Sequence, residues 1–223
     1  MQSLGDKAPA FPLPLIGLAG PSAAICFALA VVGFAARRTD GYTHGTKAIS
    51  ELGAVGAPNA LLFSLFANVI PGVLLLLLCG WLMRCTPDGG RRLGLWLLVL
   101  SALGLVFAGV FPLDLSNLKD PVSIMHSASA LTAGLAWVSA LFFVGRVLRS
   151  LGLHTFARWT PWFALFMVVN IFWQVLWQTT GSLLPGYGQR IAFTGYFLWF
   201  GWLGVALWTR ASRNRAFLMP RGR

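Results

Sequence analysis

Long apolar blocks alternate along this chain with short polar breaks, and inside the blocks no 3.6- or 2-residue rhythm separates a buried face from a wet one. The run from Val73 through Leu74, Leu75, Leu76, Leu77 and Leu78 to Cys79 is apolar on every face of a helix. A helix that is apolar all round is either deeply buried or in a bilayer. Blocks of about 18 residues or more with few charges are long enough to span one. Six spans are expected: Leu15–Ala35, Ala60–Met83, Leu93–Leu113, Ser123–Val147, Pro161–Thr179 and Ile191–Thr209. Turn-forming stretches part them, such as Arg37-Arg38-Thr39-Asp40-Gly41, Pro87-Asp88-Gly89-Gly90 and Leu184-Pro185-Gly186. No long polar linker and no internal repeat interrupts the series. The pattern predicts an all-α polytopic membrane protein, a single domain over residues 1–223 built as a bundle of about six transmembrane helices.

Composition closes the soluble alternative. Hydrophobic residues make up 57% of the chain and charged ones 10%, against about 25% charged in an ordinary soluble domain. The net charge of +11 would point to nucleic acid in a soluble protein. Here no basic run is interleaved with exposed aromatics, and an anionic leaflet attracts Lys and Arg to the ends of spans. Membrane lipids are the expected partners, and nucleic acid is not. Cys26, Cys79 and Cys85 form no disulfide framework, and two of them fall inside apolar blocks. The stretch from Met1 to Pro14 lacks the basic-then-apolar layout of a cleaved signal, so the first span is expected to stay.

Charge also orients the bundle. With the N-terminus in the cytoplasm, the inside segments carry 12 of the 17 basic residues and the outside segments 5. The positive-inside rule then puts both termini in the cytoplasm of a cell inner membrane. Trp159, Trp162 and Trp208 fall at span ends, where indoles anchor at the interface.

In that orientation the outward side receives Asp40, His44, Glu51, Asp114, Asp120 and His126. Ionisable groups near a bilayer are costly and either pair or serve a function. Asn170, Gln174 and Gln178 add an amide stripe at i, i+4, i+8 on one face of the fifth span, suited to interhelical hydrogen bonds or to a cavity wall. Three chemistries compete for the outward cluster. His44, Asp114 and His126, with Glu51, could ligate zinc, which accepts imidazole and carboxylate, although their spacing fits no compact motif. Ser50, or Ser127 beside His126, could be a nucleophile with Asp114 orienting the base, but no Gly-x-Ser-x-Gly elbow is present. The third reading is structural: His126 pairs with Asp114 as a cap, and Glu51 offsets a basic neighbour such as Arg190.

The segment from His44 to Ser50-Glu51-Leu52-Gly53-Ala54, followed by Pro58, resembles the bacterial and archaeal membrane family labelled domain of unknown function 998. So do Phe111-Pro112-Leu113-Asp114, the later His126, and Gly188-Gln189-Arg190 before the last span. In that family a proline follows closely behind the aspartate. Here Leu115 follows Asp114, and the Asp-Pro pair comes later as Asp120-Pro121. The resemblance implies a six-helix fold and directs attention to these residues, and it implies no activity. The expectation is a membrane protein whose outward polar pocket engages a lipid or small amphipathic molecule, with Ser50, Gln174, Gln178 and Arg190 as ligand-binding residues. The alternatives are a metal-assisted membrane hydrolase using His126, Asp114, Glu51 and His44, and a small-molecule transporter, for which the amide stripe is the hint and the lack of a repeat the objection.

Overall fold

A computed structural model describes residues 13–86, 92–179 and 185–218 of the chain. α1 comes in two pieces, Leu13–Gly17 and Ala19–Ala35. α2 runs Ala60–Cys85, with a π turn at Leu65–Val69. α3 is Leu93–Val110, α4 Pro121–Phe143, α5 the short Gly145–Ser150, α6 His154–Thr179 and α7 Pro185–Leu218. A 3-10 turn, Ile49–Gly53, lies in the loop between α1 and α2. Successive long helices pack on one another from α1 to α4, α6 packs on α4, and α7 closes the ring against both α6 and α1.

Five of the helices are long and apolar enough to cross a membrane: Leu15–Ala35, Ala60–Cys85, Leu93–Val110, Pro121–Phe143 and Gly186–Ser212. α6, at 26 residues, is long enough as well. The protein is an all-α polytopic membrane protein. Its outward surface agrees with a lipid solvent: Leu61 is 81% exposed and Phe172 66%, an arrangement too costly in water when repeated on every side. Inside, Leu75, Leu98, Trp137, Trp199 and Phe200 are fully buried. The Trp199 indole is satisfied there, donating to the Thr160 hydroxyl at 3.2 Å.

Several ends differ from those read off hydropathy, each for a local reason. α3 stops at Val110 rather than Leu113, because Phe111 precedes a proline and is driven extended. α4 starts at Pro121 rather than Ser123. Asp120 caps it, its carboxylate accepting from the N–H groups of Val122 at 2.9 Å and Ser123 at 3.4 Å, and proline fits the first helical position. α4 also ends at Phe143, and the predicted tail to Val147 belongs to α5. α6 begins at His154, so that Pro161 lies inside the helix. α7 extends past both predicted ends. Asp120→Ala should cost about 1 kcal/mol through loss of the cap, with Asp120→Asn close to neutral. Thermal melting of the purified variants checks this, and equal losses in both would rule out the capping role.

Even passage of six long helices brings both described termini to one end of the bundle. The opposite end, called here the loop end, collects the 36–59 loop, the 111–120 loop and the start of α7.

Candidate functional site

The 36–59 loop turns back immediately after α1 at Gly41, whose φ of +76° is open to glycine at little cost. It is then held down by charge. Arg38 pairs with Asp40 and donates to the Glu51 carbonyl at 3.1 Å. The hydrogen bond from Arg38 holds the Asp40 carboxyl down at about 2. The contribution of that pair is therefore complete above the ordinary aspartate range and is lost only as pH falls through about 2. Glu51 accepts from the Ala48 N–H at 2.9 Å and pairs with Lys47 at 3.4 Å. Its basic neighbour is thus Lys47, not Arg190, whose donors are taken up by Lys47, Gly186, Tyr42 and His44.

α7 meets this loop through Gly186, Gln189 and Arg190. A side chain at Gly186 would run into the carbonyls of Lys47 and Gly45, at 2.5 and 2.7 Å from its first carbon. Only glycine lets the backbones come so close. The Gln189 side-chain amide oxygen, Oε1, accepts from the N–H groups of Ile49 at 2.8 Å and Ser50 at 3.4 Å. Arg190 reaches further. It donates from Nη1 to the carbonyls of Lys47 and Gly186, both at 3.0 Å, from Nη2 to the Tyr42 hydroxyl at 2.7 Å, and from Nε to Nδ1 of His44 at 3.0 Å. Tyr42 in turn donates to the Ala48 carbonyl at 3.1 Å. Burial pushes its phenol above the ordinary value, which keeps that proton in place. The Tyr42 ring also lies between two guanidinium groups, Arg38 at 5.3 Å and Arg190 at 5.8 Å.

Below this polar knot lies a groove of about 470 Å³ between α1 and α7. Ile25, Ala28 and Val32 form one wall and Phe193, Thr194 and Leu198 the other, with His44 and Arg190 at the polar rim. Its floor is stacked phenylalanine: Phe27 meets Phe197 at 4.3 Å and Phe193 at 4.9 Å. The cavity is therefore amphipathic, apolar along its length and cationic at one edge.

The remaining predicted residues join other networks. His126 shares a 2.8 Å hydrogen bond between Nδ1 and the Phe111 carbonyl, and Asp114 accepts from the Ser116 N–H and hydroxyl at 2.8 and 2.7 Å. The expected His126–Asp114 pair is not formed. Phe111 caps α3, whose last carbonyls lack helical partners, and the imidazole satisfies one of them. Asp114 is satisfied by its own turn. Among the described residues no three His, Cys, Asp or Glu side chains stand together as metal ligands. The zinc set of His44, Asp114 and His126 is thus not assembled, because each histidine is already committed to a different partner. A backbone hydrogen bond from the Val55 N–H to the Leu113 carbonyl, at 2.8 Å, joins the two networks.

In α6, Asn170 is buried and donates to the Gly188 carbonyl at 3.4 Å, and Gln174 packs on Gly188. The amides of Asn170 and Gln174 thus meet α7 as interhelical contacts. Gln178 is helical, but its side chain lies outside the described residues. Ser50 contributes its backbone N–H to the knot. Arg38, Tyr42 and Gln189 were not anticipated as site residues. The signal for Gln189 was its place beside Arg190 at the head of the last helix, while nothing in spacing revealed a groove whose walls are almost all apolar.

A model of the family described as "Protein of unknown function (DUF998)" matches residues 22–206. That range takes in α1 from Ser22 onward, every loop-end residue of the knot and most of α7. No curated protein and no solved structure matches the chain.

Proposed function

Since the chain belongs to the DUF998 family, whose description assigns no activity, we propose from the site itself that this protein binds one amphipathic lipid-like molecule in the groove between α1 and α7. The supporting observation is the shape and polarity of that groove: an apolar channel of about 470 Å³ whose rim carries His44 and Arg190. Pockets that are mostly apolar with a few polar anchors suit such ligands. Binding rather than hydrolysis is favoured because His126 and Asp114 are engaged elsewhere, with a backbone carbonyl and a local turn. The same reading puts both termini in the cytoplasm of the inner membrane, on the strength of the basic-residue asymmetry, and so presents the rim to the outer leaflet. Membrane lipids are its natural ligand pool.

Photolabelling of the full chain in nanodiscs tests the groove. A photoreactive single-chain lipid, offered with either a carboxylate or a glycerol head, should label residues 25–32 and 193–198. Ala28→Trp fills the channel from an exposed position and should cut that labelling severalfold while leaving the melting temperature near the parent value. Label spread evenly over all the helices, and indifferent to Ala28→Trp, would sink the proposal.

A further inference from the structure

We infer that the occupant of the α1–α7 groove is a single-chain lipid with a carboxylate head, held at the rim by Arg190 and His44. This rests on the groove reading above and deepens it. The inference starts from a count of donors and charges. A guanidinium has five N–H groups, and Arg190 uses four of them, all on neutral acceptors: two carbonyls, a phenol and an imidazole nitrogen. One N–H on Nη2 has no partner among the described residues. His44 accepts from Arg190 through Nδ1, so in its neutral form the imidazole carries its proton on Nε2, and no partner for that N–H occurs among the described residues. Both side chains line the groove. Two donors are thus left over at the rim of an apolar cavity.

The charge is left over as well. Within the hydrogen-bonded knot the cations are Arg38, Lys47 and Arg190 and the carboxylates Asp40 and Glu51, while Arg37 of the same loop lies over the Phe34 ring. Asp40 is taken by Arg38 and Glu51 by Lys47. Arg190 makes no ion pair among the described residues. A guanidinium beside low-dielectric surface favours an anion strongly. Two spare donors match the two oxygens of one carboxylate, whereas a phosphate would leave an oxygen unmet. The size of the groove suits one tail. A water-sized group occupies about 30 Å³ of liquid, so about 470 Å³ takes roughly fifteen such groups, about the length of one acyl chain.

Competition against the photoreactive lipid decides the matter, with the full chain in phosphatidylcholine nanodiscs at about pH 8.5, well above the carboxylate range. Hexadecanoate, hexadecanol and hexadecyl phosphate share one chain and differ only in the head. Hexadecanoate should compete roughly tenfold better than hexadecanol, the size expected of a charge-assisted hydrogen bond, and better than hexadecyl phosphate. His44→Phe keeps a ring at the rim but removes the donor. It should weaken hexadecanoate severalfold and leave hexadecanol unchanged. If acid and alcohol compete equally, the head assignment fails and the groove stands. If the phosphate competes best, the carboxylate assignment is overturned in favour of a phosphate head. If none of the three competes, the groove reading itself is wrong.

Discussion

Gly20→Ala and Gly204→Ala should each lower the thermal midpoint of the purified chain by several degrees or more, while Gly33→Ala should hold it or raise it. All three add one methyl group to a transmembrane helix, and in isolation each would favour the helix by up to about 1 kcal/mol. What differs is the neighbour. A carbon added at Gly20 would fall well inside contact distance of the Phe200 carbonyl, and one at Gly204 would do the same to the Gly17 carbonyl, with Pro21 at 2.7 Å behind it. These are backbone atoms of the facing helix, which cannot turn aside as a side chain can. α1 and α7 would have to separate along their whole small-residue seam, and close backbone approach is what drives helix association where no hydrophobic effect operates. Overpacking of this kind costs about 1–3 kcal/mol and sometimes more. Gly33 sits on the same helix with nothing within 4 Å of the added carbon. The control therefore shares the element, the chemistry and the propensity term. Equal melting temperatures for Gly20→Ala and Gly33→Ala, read by heating followed by size-exclusion chromatography, would mean that the seam does not hold the two helices together.

That seam also bears on the ligand groove. Glycines join α1 and α7 toward the terminal end, whereas Phe27, Phe193 and Phe197 stand between the same helices nearer the loop end. Ring bulk at one end and bare backbone at the other leave room beside the rings, and the groove lies there. A seam variant is accordingly expected to disturb lipid labelling together with stability. Ala28→Trp should separate the two effects, since it changes the channel without touching the seam.

The bundle was legible because its signal is local. An apolar block such as Val73–Cys79 has one meaning wherever it falls, and span count follows from counting blocks. Span ends were less so, since they turn on single residues. Asp120 was visible as an acid but not as the cap of α4, and Pro161 could mark the start of a helix or lie inside one. For the site, rarity was a good guide to residues and a poor guide to partners. Arg190, His44 and Glu51 stood out as ionisable groups in an apolar chain. Which of them meet depends on how the 36–59 loop folds over the head of α7, a contact across some 140 positions of sequence that no spacing encodes. His126 and Asp114 looked like a pair because both lie at neighbouring span ends. Each found a nearer partner: the Phe111 carbonyl, exposed where Pro112 ends α3, and Ser116 in the same turn.

Arg190→Met should free the 42–48 segment without unfolding the bundle. Methionine keeps most of the aliphatic length and removes every donor. Four hydrogen bonds go at once, to Lys47, Gly186, Tyr42 and His44, and their acceptors at the membrane surface are left to water. Hydrogen bonds from a charged group contribute about 1.5–3 kcal/mol each but do not add when they share one residue, so a total near 3 kcal/mol is expected. The loss should stay local. The Arg38 bond to the Glu51 carbonyl, the Gln189 bonds to Ile49 and Ser50, and the backbone bond between Val55 and Leu113 all survive the substitution. Hydrogen exchange should therefore rise by about two orders of magnitude in peptides covering residues 42–48. It should change little in α3 and α4. Arg190→Lys restores the charge but not the planar fork, and should protect the segment only in part. If exchange in residues 42–48 is the same in Arg190→Met as in the parent, the guanidinium does not fasten the loop, and the rim on which the ligand reading depends is not held where the hydrogen bonds put it.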